Sequence, residues 1–181
     1  MISSMLPSTR LPRRARVVFF AFLVAGSLPT LGQNLVQNPG FETGNLTDWT
    51  LTRAAQGSDI STFGGRGHSG TYAEGFGAVS TYFDSISQNL PTIAGAPYNL
   101  TFWLENPYGE NPTTFEALWN GTVVFSIVNP SSFPYTEESF PGLVATGAST
   151  PLVFEGLDVP AFIYLDDVSV VLASTPPPPA L

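Results

Sequence analysis

Beyond residue 33 apolar and polar positions alternate with a period of two over short runs, and no run keeps the 3.6-residue spacing of an amphipathic helix. Gly and Pro break these runs every eight to twelve residues or about that, and β-branched and aromatic side chains fill them, which is the pattern of an all-β sandwich. The pattern predicts strands at Asn34–Gln37, Trp49–Ala54, Asp59–Thr62, Thr71–Phe76, Tyr82–Asn89 and Tyr98–Glu105. It predicts further strands at Thr114–Trp119, Thr122–Val128, Gly142–Ala145, Leu152–Gly156 and Ala161–Leu172. Asn120-Gly121 between two of them favours positive φ at both central positions, so residues 115–127 form a hairpin with a type I′ turn.

In the last strand, AFIYLDDVSVVL, strict alternation puts Phe162, Tyr164, Asp166, Val168 and Val170 on one face. Ile163, Leu165, Asp167, Ser169 and Val171 fall on the other. Two carboxylates in so apolar a strand are costly unless they are paired or metal-bound. The tail STPPPPAL cannot extend a sheet and reads as a polyproline spacer. No internal repeat and no second core is visible, so residues 33–173 form one domain, with 174–181 as a Pro-rich tail.

The first 32 residues read as a signal peptide. Arg10, Arg13, Arg14 and Arg16 precede the apolar run of residues 17–31, and Thr30 and Gly32 suit the −3 and −1 positions of a cut after Gly32. Gly26, Ser27 and Pro29 interrupt the run, which is short of the ~20 apolar residues a spanning helix needs. This predicts a secreted or cell-surface protein, with no membrane insertion once the leader is removed. It also changes the charge. The exported part holds no Lys and two arginines, Arg53 and Arg66, against fourteen Asp and Glu, a net of −12. Nucleic acid bound through its phosphates is excluded, and so is an anionic membrane surface. Neutral ligands and cations remain. The chain has no Cys, which removes disulfides, thiolate metal ligands and a thiol nucleophile.

Catalytic candidates are few. His68 is the one His, in the Gly-rich run FGGRGHSG, and no strand–turn–helix elbow surrounds any Ser. Glu105, Glu110 and Glu116 flank the loop ENPYGENP, and two carboxylates facing each other across a cleft could hydrolyse a glycosidic bond. For a cation, the hard oxygens that calcium prefers are offered by Glu42 near the start and by Asp166 or Asp167 near the end. Hydrogen bonding of those Asp side chains to loop amides is the equal alternative. For sugars, flat rings stack on pyranose faces. Tyr108, in its loop, leads that pool, followed by Tyr82, with Trp103 and Trp119 on strands having one face of open exposure. Trp49 reads as a packing residue.

The segments NLVQNPGFETGNLTDWT, GHSGTYAEGFG, ISQNLPTIAGAPYNLTFWLEN, ALWNG and FIYLDDVSVV occur in that order. Together they resemble the carbohydrate-binding modules of families four and nine and their galactose-binding-like jelly-roll relatives, domains that also occur in exported bacterial proteins with a Pro-Glu-Pro sorting tail. The resemblance covers nearly all of the chain after the leader, although TPPPPAL departs from such a tail. It implies a two-sheet antiparallel β-sandwich and a structural Ca2+ near the terminal strands, with Glu42 and Asp166 as side-chain ligands. It also implies sugar binding on a sheet face or at the loops of one end. The expectation is a secreted, non-catalytic module for neutral carbohydrate or cell-surface polysaccharide. The rival is a structural or adhesive envelope or matrix protein with the same fold and no sugar affinity.

Overall fold

The computed structural model describes residues 30–54, 58–78 and 82–174. The leader reading rests mostly on residues 1–29, and all but the first residue of the Pro-rich tail is 175–181; both stretches lie outside the described residues. Those described form ten strands and no helix. They are β1 (Thr50–Thr52), β2 (Ser58–Gly64), β3 (Tyr72–Ala78), β4 (Asp84–Pro91) and β5 (Pro97–Asn106), then β6 (Thr113–Trp119), β7 (Thr122–Val128), β8 (Phe133–Val144), β9 (Ser149–Asp158) and β10 (Ile163–Leu172).

Two antiparallel five-stranded sheets, ordered β1-β4-β9-β6-β7 and β2-β3-β10-β5-β8, make an all-β sandwich. Alternation along each strand explains the layering. In β5, Tyr98, Leu100, Phe102 and Leu104 are buried, while Asn99, Thr101, Trp103 and Glu105 between them are partly exposed. The two layers meet ring to ring. Phe76 of β3 lies edge-on to Phe115 of β6 at 5.3 Å, and Phe102 of β5 edge-on to Phe154 of β9 at 5.1 Å.

Three sequence expectations need correction. Asn34–Gln37 is no strand: Leu35 N–H reaches the Val170 carbonyl (2.9 Å), and side chains supply the other bonds a ladder would make. Asn34 donates to the Val168 carbonyl (3.0 Å) and accepts from the Val170 amide (2.9 Å), and Gln37 exchanges two bonds with the Gln88 side chain. Pro39 then has no N–H to give. Next, β8 begins at Phe133, well before the expected Gly142. Pro134, Pro141 and the Glu137-Glu138 pair read as loop, yet all are tolerated because β8 is an edge strand.

The third correction is to β10. Asp166 pairs with Trp103 but Ser169 pairs with Thr101, so one extra residue bulges, and Asp167 takes φ 48°. Ile163 and Leu165 therefore share the core face with Val168 and Val170, and Tyr164 and Asp166 share the outer face with Ser169 and Val171. The bulge swaps the faces halfway along the strand.

Candidate functional site

The loop joining β2 to β3 folds back over the outer face of its own sheet, and carboxylates hold it there. Glu42 Oε1 accepts the amides of Thr71 and Tyr72, each at 2.8 Å. Asp166 Oδ2 accepts the amides of His68 (2.7 Å) and Ser69 (3.2 Å), while its Oδ1 accepts that of Asp167. Asp167 in turn takes the Ser69 hydroxyl and His68 Nδ1, both at 2.7 Å. Gly70 sits at φ 62° against Glu42, where an added methyl would come within 2.5 Å of the carboxylate carbon. Tyr135 of β8 donates its hydroxyl to the Arg66 carbonyl (2.7 Å), which fixes the loop's tip. Asp166 thus makes the loop-amide bonds of the alternative reading, while Asp167 takes side-chain groups of the same loop. Burial raises the Asp166 carboxyl to about 6, with the neighbouring Asp167 charge adding to the rise against the opposing amide bonds.

The loop delivers Arg66 to a cleft of about 460 Å³ on that face. Its floor is aromatic. Phe63 lies edge-on to Phe162 at 4.7 Å and to Tyr164 at 5.6 Å. These rings lie against β3 because residues 75 and 77 are glycines. A methyl on Gly75 would fall 2.7 Å from Phe63 and 3.1 Å from Tyr164, and one on Gly77 would fall 2.6 Å from Phe162. Over the floor, the Arg66 guanidinium sits 5.2 Å from the Tyr164 ring centre and donates to the Tyr108 hydroxyl at 2.8 Å. That hydrogen bond, then electrostatic attraction from Tyr164 and more weakly from Glu105, holds Arg66 above the usual arginine range. Glu110, Pro160 and Ala161 complete the wall.

Beside the wall, Asp158 is 1% exposed. Its Oδ1 lies 2.6 Å from Thr113 Oγ1, which also lies 2.5 Å from the Glu110 carbonyl, and its Oδ2 has no partner. One hydroxyl proton cannot serve both acceptors well. Burial pushes the Asp158 carboxyl up, against the opposing pull of the Thr113 hydrogen bond.

The residues named from sequence fare differently. Tyr108 lines the cleft and is 51% exposed. Trp103 is on the same sheet face, but the His68 ring lies parallel to it, with centroids 3.7 Å apart and 11° between planes, and so covers one of its faces. Tyr82 is 61% exposed in the β3–β4 connection and does not line the cleft. Trp119 is a correction. It is 4% exposed inside the sandwich, with its indole N–H on the Val144 carbonyl, and offers no stacking face. The carboxylates also part company, for Glu105 lies on one sheet, Glu110 in the β5–β6 loop and Glu116 on the other sheet beside Glu155. Sequence reading missed Phe63, Arg66, Phe162 and Tyr164. The available signal was the pair Gly75 and Gly77, two residues apart on a strand, which leaves room for rings of neighbouring strands.

The outer face of the opposite sheet differs. Its rows run Thr50–Ser87–Val153–Leu118–Val123 and Ser85–Glu155–Glu116–Ser126, with no aromatic ring in either.

The expected calcium can be set against the residues present. Asp167 Oδ1 and Asp166 Oδ1 face Gly40, where an added methyl would stand 3.4 and 3.5 Å from them, while Glu42 presents its Cγ at 3.7 Å and turns its carboxylate toward Gly70. Hard carboxylate oxygens around a cradle that a Cβ would fill suit calcium. Among the described residues, no three or more His, Asp or Glu side chains stand at metal-holding spacing, so backbone carbonyls would have to complete the set.

No family model matches the chain, and no curated protein does. Solved structures do. TmCBM61 in complex with β-1,4-galactotriose aligns at TM-score 0.62 with 17% identity, covering 78% of this chain and 100% of that one. The xylan-binding domain from CBM 22 aligns at 0.59 with 16% identity, over 80% and 98%. The K3 cleaved adhesin domain of Lys-gingipain from Porphyromonas gingivalis aligns at 0.59 with 12% identity, over 78% and 99%. At such identities the likeness is one of fold: this chain has the jelly-roll sandwich of carbohydrate-binding modules.

Proposed function

We propose that this protein is a secreted, non-catalytic carbohydrate-binding module, akin to the family four and nine type, that takes a glycan in the cleft between Arg66 and Tyr108. The observation that carries this reading is the aromatic floor of Phe63, Phe162 and Tyr164, rimmed by Arg66, Tyr108 and Glu110. Rings give a pyranose its apolar contact, and the rim supplies donors and acceptors for hydroxyls. Solved modules of the same fold, one in complex with β-1,4-galactotriose and one a xylan-binding domain, support it. The non-catalytic part rests on the same likeness, since those aligned modules are binding domains. Calcium is part of the same proposal. Held by Glu42 and Asp166, it would neutralise the exposed charge of the one and the buried charge of the other at the corner that clamps the β2–β3 loop.

A glycan array probed with the full chain tests the reading. Wild type is expected to be retained on at least one glycan. Tyr108→Ala should lose at least about tenfold in affinity, the scale of one lost stacking and hydrogen-bonding ring, with its melting temperature unchanged. A clean negative for wild type favours the structural or adhesive alternative, which the covered Trp103 ring and the adhesin-domain likeness support.

A further inference from the structure

Arg66 stands apart from every other feature of the cleft. Past the leader it is one of two arginines set against fourteen acids. In a chain so acidic, a cation would be expected to find a carboxylate. Among the described residues Arg66 forms no ion pair. Its partners are instead the Tyr108 hydroxyl and the faces of Tyr164 and Tyr108, at 5.2 and 6.0 Å. These interactions orient the guanidinium without neutralising it. Tyr135 pins the backbone carbonyl of the same residue, so the group is positioned from both ends. One Nη is committed to Tyr108, and the planar fork has further N–H groups for a ligand.

We propose that Arg66 selects a glycan carrying one carboxylate, a uronic acid residue set in an otherwise neutral chain. This deepens the carbohydrate-binding reading and rests on it. The guanidinium fork matches a carboxylate with two parallel hydrogen bonds, stronger than those it could make to hydroxyls. The uronate ring then lies against the aromatic floor beside Phe63 and Phe162. A polyuronate is disfavoured, because Glu110 lines the same cleft, Glu105 lies on the neighbouring strand and the whole chain carries −8. A run of carboxylates would meet that field at every sugar beyond the first, whereas a lone carboxylate meets Arg66.

Two matched pairs of oligosaccharides test this by calorimetry with the full chain. One pair is xylotetraose with and without a single glucuronosyl branch. The other is β-1,4-galactotriose with galactose or galacturonic acid at its non-reducing end. The acidic member of at least one pair should bind about tenfold tighter or more, the range of a charge-assisted hydrogen bond at a half-exposed site. That preference should shrink as salt is raised. Arg66→Gln should weaken both members, since Arg66 also serves the hydroxyls, but should remove the difference between them, and Arg66→Lys should restore part of it. Unaltered melting would show both variants folded. Equal affinity within each pair, or a preference that survives Arg66→Gln, overturns the inference and leaves the carbohydrate reading standing. If no glycan on the array and no member of either pair binds wild type, both fall.

Discussion

Glu74 shows how one residue can carry a cost that the rest of the fold absorbs. On β3 it sits between Tyr72 and Phe76 on the inward side and is fully buried. Thr62 donates to its Oε2 at 2.6 Å, and Oε1 has no partner. Burial raises this carboxyl from 4.5 to about 7, against the opposing pull of the Thr62 hydrogen bond and the Arg53 charge. The folded state therefore holds a proton that the unfolded chain releases near pH 4.5. The stability linked to that proton is fully present below pH 4.5 and drains away as pH rises to 7. Glu74→Gln keeps an acceptor for Thr62 and cannot ionise. The variant should gain on wild type across that window, by on the order of 3 kcal/mol when the whole shift is expressed. Urea midpoints of both proteins at pH 4.5 and 7.5 check this, and parallel curves would refute it. None of this was legible in the sequence, where TYAEGFG gives Glu74 no visible reason to be buried. Glu42 was singled out by the turn-rich context of NPGFETGNLTDWT as a calcium ligand, whereas the two loop amides it holds had no mark in the sequence.

At the scale of elements, legibility followed local chemistry. Asn120 and Gly121 have φ of 50° and 76°, and the hairpin they were expected to turn is present as β6 and β7. Edge strand β8 was hidden by its prolines and acids, since the devices that protect an edge look like a loop. The β10 bulge was hidden because alternation carries no mark for an extra residue, although two adjacent aspartates in an apolar strand signalled that something local had to give. That bulge matters for the cleft. It keeps Tyr164 and Asp166 on the outer face, where one floors the cleft and the other holds the loop bearing Arg66. Strand β3 contributes by having no side chain at 75 and 77. Gly75→Ala should lift Phe63 and Tyr164 and destabilise the fold by about 1–3 kcal/mol, as overpacking does, while weakening glycan retention. Gly64→Ala, whose methyl would meet Tyr72 at an ordinary 3.4 Å, is the control and should do neither. Chemical denaturation beside affinity electrophoresis reads both effects, and equal behaviour of the two variants would sink the role given to Gly75.

Over the whole molecule the acidic excess bears on the corner where the two ends of the sandwich meet. Residues 34–42 run beside β10, and Asp166 and Asp167 face Gly40 there, with Glu42 turned toward Gly70 beside them. Loop amides, the Ser69 hydroxyl and the His68 ring are the partners that offset their charge, and calcium would add a full positive charge to them. Any divalent cation will relieve repulsion in so acidic a chain, so a bare rise in melting temperature decides little. The informative contrast is between two substitutions. Glu42→Gln keeps an oxygen that can accept the Thr71 and Tyr72 amides but removes the charge a calcium ion needs, whereas Glu42→Ala removes both. If calcium is held, 100 times its dissociation constant stabilises wild type by about 2.7 kcal/mol. That corresponds to a shift of roughly 5–10 °C for a domain of this size. Magnesium at matched ionic strength should give much less, and Glu42→Gln should lose the calcium-specific part while melting close to wild type in chelator. Glu42→Ala should melt lower than both even in chelator, because the loop amides lose their acceptor. If wild type and Glu42→Gln respond alike to calcium, the corner is an amide clamp without a metal, and Glu42 serves only to hold the loop that presents Arg66.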